Sequence, residues 1–176
     1  ANTCWALATL SVGTAEDMEP FAREIEGRLE EFKPQELSNV MWAFARLRIP
    51  DECFFELSGD MCVRKMELFN AQNLTNVVWA YATVGLQHTR CFEATVACSL
   101  RALDGFNAQN LSNTIWAYAR SEFYAPNFFA AFSARTASKL HEFNCQNISN
   151  TAWAIGRRVS EGPPVTHPAE KAVYHK

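Results

Sequence analysis

The side chains that carry covalent or metal chemistry are present but are not arranged for it. The six cysteines are Cys4, Cys53, Cys62, Cys91, Cys98 and Cys145, and no two form a Cys-x-x-Cys pair, the spacing that zinc and redox sites use. Cys4 and Cys145 replace Met, Val, Ala or Pro at equivalent repeat positions and read as small buried hydrophobes, and a reducing compartment is expected. His88 and Cys91 stand three apart with no second ligand pair, so no metal is assigned. The chain has no glycine-rich phosphate loop and no nucleophile, histidine and acid pattern. The expectation is a binding protein with no catalytic residue, metal or cofactor.

What recurs is polar. Asn39, Asn76, Asn113 and Asn150 repeat every 37 residues, and Arg46, Thr83, Arg120 and Arg157 follow each of them by seven. Glu36, Asn73, Asn110 and Asn147 precede them by three, and Arg48 and Arg158 add charge nearby. Asparagine offers a donor and an acceptor together, and arginine offers a fork that clamps phosphate or stacks on a base. An asparagine identical in every copy cannot discriminate, so Asn39, Asn76, Asn113 and Asn150 are expected to form a hydrogen-bond ladder between repeats. The candidates for ligand contact are Arg46, Arg48, Thr83, Arg120, Arg157, Arg158, Asn73, Asn110 and Asn147.

The elements that must hold these residues are set by tryptophan. Trp5, Trp42, Trp79, Trp116 and Trp153 are the five tryptophans, spaced 37 residues apart. A fixed period between about 20 and 50 residues signals stacked supersecondary units. The surrounding words agree, from Asn39-Val-Met-Trp-Ala-Phe-Ala45 to Asn113-Thr-Ile-Trp-Ala-Tyr-Ala119. Gln35, Gln72, Gln109 and Gln146 stand seven before their tryptophans, and Phe32, Phe69, Phe106 and Phe143 stand ten before. Leu111, Ile115 and Tyr118 make an apolar stripe at helical spacing. Asn70, Asn107 and Asn144 are plausible N-caps, and Pro34 suits a first turn.

The rest of each unit predicts a second helix. Met18, Phe55, Phe92 and Phe129 stand thirteen after a tryptophan, and Pro20, Pro50 and Pro126 fall near the start. Gly13 and Gly85 fall where the preceding helix should stop. No segment alternates with period two. The fold class is therefore all-α, an α-solenoid of helix pairs with a 37-residue period over 1–158. The five tryptophans are expected to be structural core, with Trp42, Trp79 and Trp116 nearly buried. Trp79→Ala should then cost about 3–5 kcal/mol.

Residues 159–176 carry Gly162, Pro163, Pro164 and Pro168 and read as an extended or disordered tail. The opening at Ala1, inside a repeat, suggests a fragment of a longer array or a partner over that end. Residues 1–69 hold thirteen Asp/Glu against seven Lys/Arg, and residues 70–176 hold six against nine. The acidity gathers between Glu16 and Glu36, as a solvated helix face or a dock for a basic protein. A sequence pI of about 5.8 argues against indiscriminate polyanion binding. No apolar run is long enough to span a membrane.

The block from Phe106 to Ala119 resembles the signature helix of the heptatricopeptide and octotricopeptide repeat families, and the 37-residue period resembles the heptatricopeptide type. The resemblance covers about residues 1–158 and implies an α-solenoid that binds single-stranded RNA in a chloroplast or mitochondrion. The RAP domain that many members carry has no counterpart after Arg158. Helical-repeat readers take about one base per repeat, so four copies would read about four bases. That is too few to select one transcript. A second expectation is therefore a protein scaffold, a subunit of a photosynthetic supercomplex or a mitochondrial ribosome. In both readings the partners are single-stranded RNA or other protein subunits of a larger assembly.

Overall fold

The computed structural model describes residues 1–160. Nine α-helices follow one another among them, with no strand: α1 (Asn2–Thr9), α2 (Ala15–Glu26), α3 (Pro34–Arg46), α4 (Glu52–Lys65), α5 (Ala71–Val84), α6 (Thr89–Arg101), α7 (Ala108–Arg120), α8 (Pro126–Ser138) and α9 (Cys145–Ser160). The tail expected over 159–176 lies, from Glu161 on, outside the described residues. Odd-numbered helices pack side by side in one layer, the tryptophan layer. Even-numbered helices pack as the second. Each unit is thus a helix pair, α1–α2 through α7–α8, and α9 opens a fifth.

The local sequence explains the boundaries. Asn70 accepts from the Asn73 N–H at 2.9 Å while Asn73 accepts from the Asn70 N–H at 3.3 Å, a reciprocal cap. Asn107 with Asn110 and Asn144 with Asn147 repeat it. In α3, Pro34 takes the first turn and Glu36 accepts from the Lys33 N–H at 2.9 Å. Pro20 lies further in, as the sixth residue of α2, which Thr14 and Asp17 cap. Each even-numbered helix ends in a short 3-10 turn, for example Met66–Leu68. An extended phenylalanine then leads into the next cap.

At one equivalent position in each unit the chain turns with a left-handed backbone, and Gly13 adds a second positive φ in the first unit. Ser11, Arg48, Gly85 and Glu122 have φ of 55°, 60°, 78° and 55°, and they sit 37 residues apart. Only Gly85 is free of the Cβ penalty there. Two of the others bridge to the next unit. Arg48 donates to the Thr83 carbonyl at 3.0 Å, and Glu122 pairs with Arg157.

The core is not built of tryptophan. Leu37, Leu74 and Leu111 are fully buried, as are Met41, Val78 and Ile115. Phe44, Tyr81 and Tyr118 are 1% exposed or less. These fill the space between the layers and meet Phe54, Phe55, Phe92 and Phe128 from the second layer at ring distances of 4.2 to 5.4 Å. Full burial of each such side chain contributes about 1.5–3 kcal/mol. The Tyr81 and Tyr118 hydroxyls donate to the Phe55 and Phe92 carbonyls at 2.7 and 3.0 Å, tying each unit to the one before. The apolar surroundings push both phenols up in pKa.

Trp42, Trp79 and Trp116 are only half-buried against this core. Trp5 and Trp153 are 48% and 41% exposed. The expectation of a tryptophan core is corrected accordingly. The reason is helical phase: the indole lies on the stripe that points away from the second layer. The aromatic two residues later takes the interior.

A candidate nucleic-acid interface on the tryptophan layer

The outward stripe of each odd-numbered helix is defined by exposure. In α3 it runs Gln35, Asn39, Trp42, Arg46; in α5, Gln72, Asn76, Trp79, Thr83. In α7 it runs Gln109, Asn113, Trp116, Arg120; in α9, Gln146, Asn150, Trp153, Arg157. These positions follow the three- and four-residue steps of one helix face. The four glutamines are exposed, and nothing in the sequence reading had placed them in the site. Their signal was there, since the same spacing joins them to the asparagine and the tryptophan.

The sequence reading makes Asn73, Asn110 and Asn147 candidates for ligand contact. The structure corrects this. Those asparagines are 4%, 8% and 6% exposed and are spent on the reciprocal caps. Asn73 also donates to Ser38 Oγ at 3.2 Å, and Asn147 to Ser112 Oγ at 3.0 Å. Ala43, Ala80, Ala117 and Ala154 are fully buried. Both positions turn into the junction between neighbouring helices, so neither can face a ligand.

Along the outward face, neighbouring units touch in pairs. Asn76 donates to Asn39 Oδ1 at 3.5 Å, and Asn150 donates to Asn113 Oδ1 at 3.3 Å. The Trp42 and Trp79 rings lie 6.1 Å apart at 28°, and Trp116 and Trp153 lie 6.3 Å apart at 41°. The expected asparagine ladder therefore exists as two separate rungs.

The arginines divide by partner. Arg157 pairs with Glu122 and stands 5.6 Å over the Trp153 ring. Arg48 is held by the Thr83 carbonyl. Arg158 leaves the face altogether, 4.6 and 4.8 Å over Tyr124 and Phe129. Thr83 keeps its hydroxyl buried and unpartnered. Arg46 and Arg120 are exposed on the stripe, and among the described residues no carboxylate or carbonyl holds either guanidinium. A positive charge that no internal anion neutralises is what an incoming phosphate meets.

The second layer has the opposite character. Glu30 pairs with Arg64 at 2.7 Å, Glu67 with Arg101 at 2.6 Å and Asp104 with Arg135 at 3.2 Å. This is a ladder of ion pairs between units, with Glu30, Glu67 and Asp104 on the 37-residue period. Glu24 and Glu31 bracket Arg28, and Glu19 pairs with Arg23. The Arg28 guanidinium holds the Glu31 carboxyl below its ordinary range. Half of the acidic run between Glu16 and Glu36, namely Glu19, Glu24, Glu30 and Glu31, is thus matched by the chain's own arginines.

His88 is a structural cap. Its Nδ1 accepts from the Cys91 N–H at 3.1 Å, which leaves Nε2 to face Asp60 at 3.5 Å. Among the described residues no three potential metal ligands gather, and no helix is long and apolar enough to cross a membrane.

A two-layer stack of helix pairs with one polar-aromatic face and one ion-paired face defines a helical-repeat protein of the α-solenoid class. The model of the RNA-editing substrate-binding complex 6 protein family matches residues 6–157, and the chain belongs to that family. The match is to this family rather than to the heptatricopeptide or octotricopeptide families that the tryptophan block resembles. No curated protein matches the chain.

Proposed function

We propose that this protein is a non-catalytic, RNA-contacting subunit of an RNA-editing assembly, and that single-stranded RNA lies along the outward face of its tryptophan layer. Membership of the RNA-editing substrate-binding complex 6 protein family supports both the RNA and the assembly. The observation that carries the placement is the stripe itself: indoles, primary amides and two unpaired arginines repeated on one face. Aromatic rings stack on bases of any sequence, and arginines neutralise phosphates. The carboxamides of Gln35, Gln72, Gln109 and Gln146 add donors and acceptors for base or ribose. The ion-paired second layer offers no comparable charge.

Protein partners belong to the same reading. Ile148, Ile155 and Val159 on α9 are 48%, 41% and 77% exposed, where the equivalent Leu111 and Tyr118 of α7 are fully buried. Such an apolar face suits another subunit. The functional reading is tested by competition binding of single-stranded against duplex RNA of the same sequence. Preference for the single strand, weakened by salt, is expected. Equal binding of both forms, or none of either, refutes it.

A further inference from the structure

From α3 to α9 the repeating face is interrupted once, and the interruption has the composition of a binding site; at the outer end Trp5 likewise makes no ring contact with Trp42 among the described residues. Trp42 contacts Trp79 and Trp116 contacts Trp153. Among the described residues no ring contact joins Trp79 to Trp116, and no hydrogen bond joins Asn76 to Asn113. The amide rungs stop at the same junction. Asn76 spends its Nδ2 on Asn39, and its Oδ1 has no partner among the described residues. Asn113 accepts from Asn150 with its Oδ1, and its Nδ2 has no partner among the described residues. One acceptor and one donor are therefore left, one on each side of the α5–α7 junction.

The junction is also built differently underneath. Elsewhere a serine accepts from an asparagine, Ser38 from Asn73 and Ser112 from Asn147. Here the buried hydroxyls of Thr75 and Thr114 meet at 2.9 Å instead. At the end of α7, Arg120, Ser121 and Glu122 line a pocket of about 170 Å³ with Gly85, Leu86 and Gln87, and the Glu122 carboxylate there is paired with Arg157. Ser121 Oγ is buried there with no partner. Arg120 is one helical turn beyond Trp116 on the same stripe.

We infer that the α5–α7 junction takes one nucleobase of a single-stranded RNA between Trp79 and Trp116, its polar edge on Asn76 and Asn113 and its neighbouring phosphate on Arg120. A base is planar, so it satisfies two indoles, and its edge carries the donor and acceptor that complete the missing rung. Trp42 and Trp153 close their own pairs and serve as flanking stacking surfaces. The inference rests on the RNA reading above and adds where the grip is strongest.

The test is binding of a labelled short oligo-uridine or oligo-adenosine RNA, read by anisotropy, to the full chain and its variants. Trp79→Leu and Trp116→Leu should each weaken binding about five- to a hundredfold, the range for losing one base stack. Trp79→Phe should keep most of the affinity. Trp42→Leu and Trp153→Leu should shift it by less than about threefold, since their rings only flank the bound base. Asn113→Asp changes no packing volume and should give a loss like Trp79→Leu, which guards against a variant that merely fails to fold. Equal losses at all four tryptophans, or none at Trp79 and Trp116, would overturn the slot while leaving RNA binding in place. Wild-type protein that binds neither oligonucleotide would overturn both. Adenosine monophosphate competing as strongly as the strand would overturn the strand as the ligand.

Discussion

The hydroxyls of Thr75 and Thr114 meet 2.9 Å apart, fully enclosed between α5 and α7. Thr75 also donates to the Ala71 carbonyl at 2.8 Å, one turn back, so Thr114 is the donor in the pair. A single threonine pair thus replaces the Asn–Ser link of the neighbouring junctions. Thr114→Val leaves the Thr75 lone pair unused in a dry junction and should cost about 1–2 kcal/mol in denaturant unfolding. No change in stability would mean that the pair contributes nothing.

The division between core and face predicts an inversion of the usual ranking by side-chain size. Tyr118 is fully buried and hydrogen-bonded, whereas Trp116 is only partly buried. Tyr118→Ala should cost about 3–5 kcal/mol, and Trp116→Ala about 2 kcal/mol. A larger loss at Trp116 would restore the tryptophan-core reading.

Much of this fold was legible in the residues, and the limits are instructive. The tryptophan period gave the unit length. The asparagine caps at Asn70, Asn107 and Asn144 gave the helix starts, because capping is a local interaction between a residue and the next turn. Phase was harder. Tryptophan is the largest apolar side chain and was assigned inward, yet the stripe through Gln35, Asn39, Trp42 and Arg46 is amphipathic as a whole. Its three polar members outvote the indole. The 37-residue recurrence of Glu30, Glu67 and Asp104 was visible too. Arg64 and Arg101 sit three positions earlier in the next period and Arg135 six, so recurrence alone does not pair them. The open α5–α7 junction depends on distances between units, which no local pattern encodes.

Gly59 allows α4 to approach α5 and the α6 cap. A Cβ there would lie 2.3 Å from Tyr81 Oη and 2.6 Å from His88 Cδ2. Replacing a helix glycine by alanine usually stabilises by about 1 kcal/mol. Gly59→Ala should instead destabilise by about 1–3 kcal/mol through overpacking, measured by thermal or denaturant unfolding. A stabilised variant would contradict this geometry.

The left-handed position predicts a gain. Ser11 has φ 55° and makes no bridge to the next unit, so Ser11→Gly should stabilise by about 1 kcal/mol. Glu122→Gly relieves the same strain but removes the partner of Arg157, and should gain less. Equal gains at both positions would show that the Glu122–Arg157 pair is inert.

Two carboxyls should respond to pH with opposite signs. The Thr14 N–H and hydroxyl hold Asp17 below its ordinary range, so its cap is present above the unfolded value, about pH 4, and is lost as pH falls through the folded one. Asp17→Asn should therefore lower the melting temperature at neutral pH, with the difference fading below about pH 4. Partial burial, and then the Asp51 charge, push Glu26 upward. Its ionised form opposes folding at neutral pH, and the penalty is relieved as pH falls through the folded value. Glu26→Gln should raise the neutral-pH melting temperature. Shifts of the same sign at both sites would refute the assignment.

The central claim, that the tryptophan-layer face carries single-stranded RNA, is tested most directly by the salt dependence of oligonucleotide binding. Wild type is compared with Arg46→Gln/Arg120→Gln on the face and with Arg64→Gln/Arg101→Gln on the second layer. The face variant should bind more weakly and lose about 1.4 from the slope of log affinity against log salt, roughly 0.7 for each phosphate contact. The second-layer variant should keep the wild-type slope. A slope that survives loss of Arg46 and Arg120, or that falls with Arg64 and Arg101, would contradict the account.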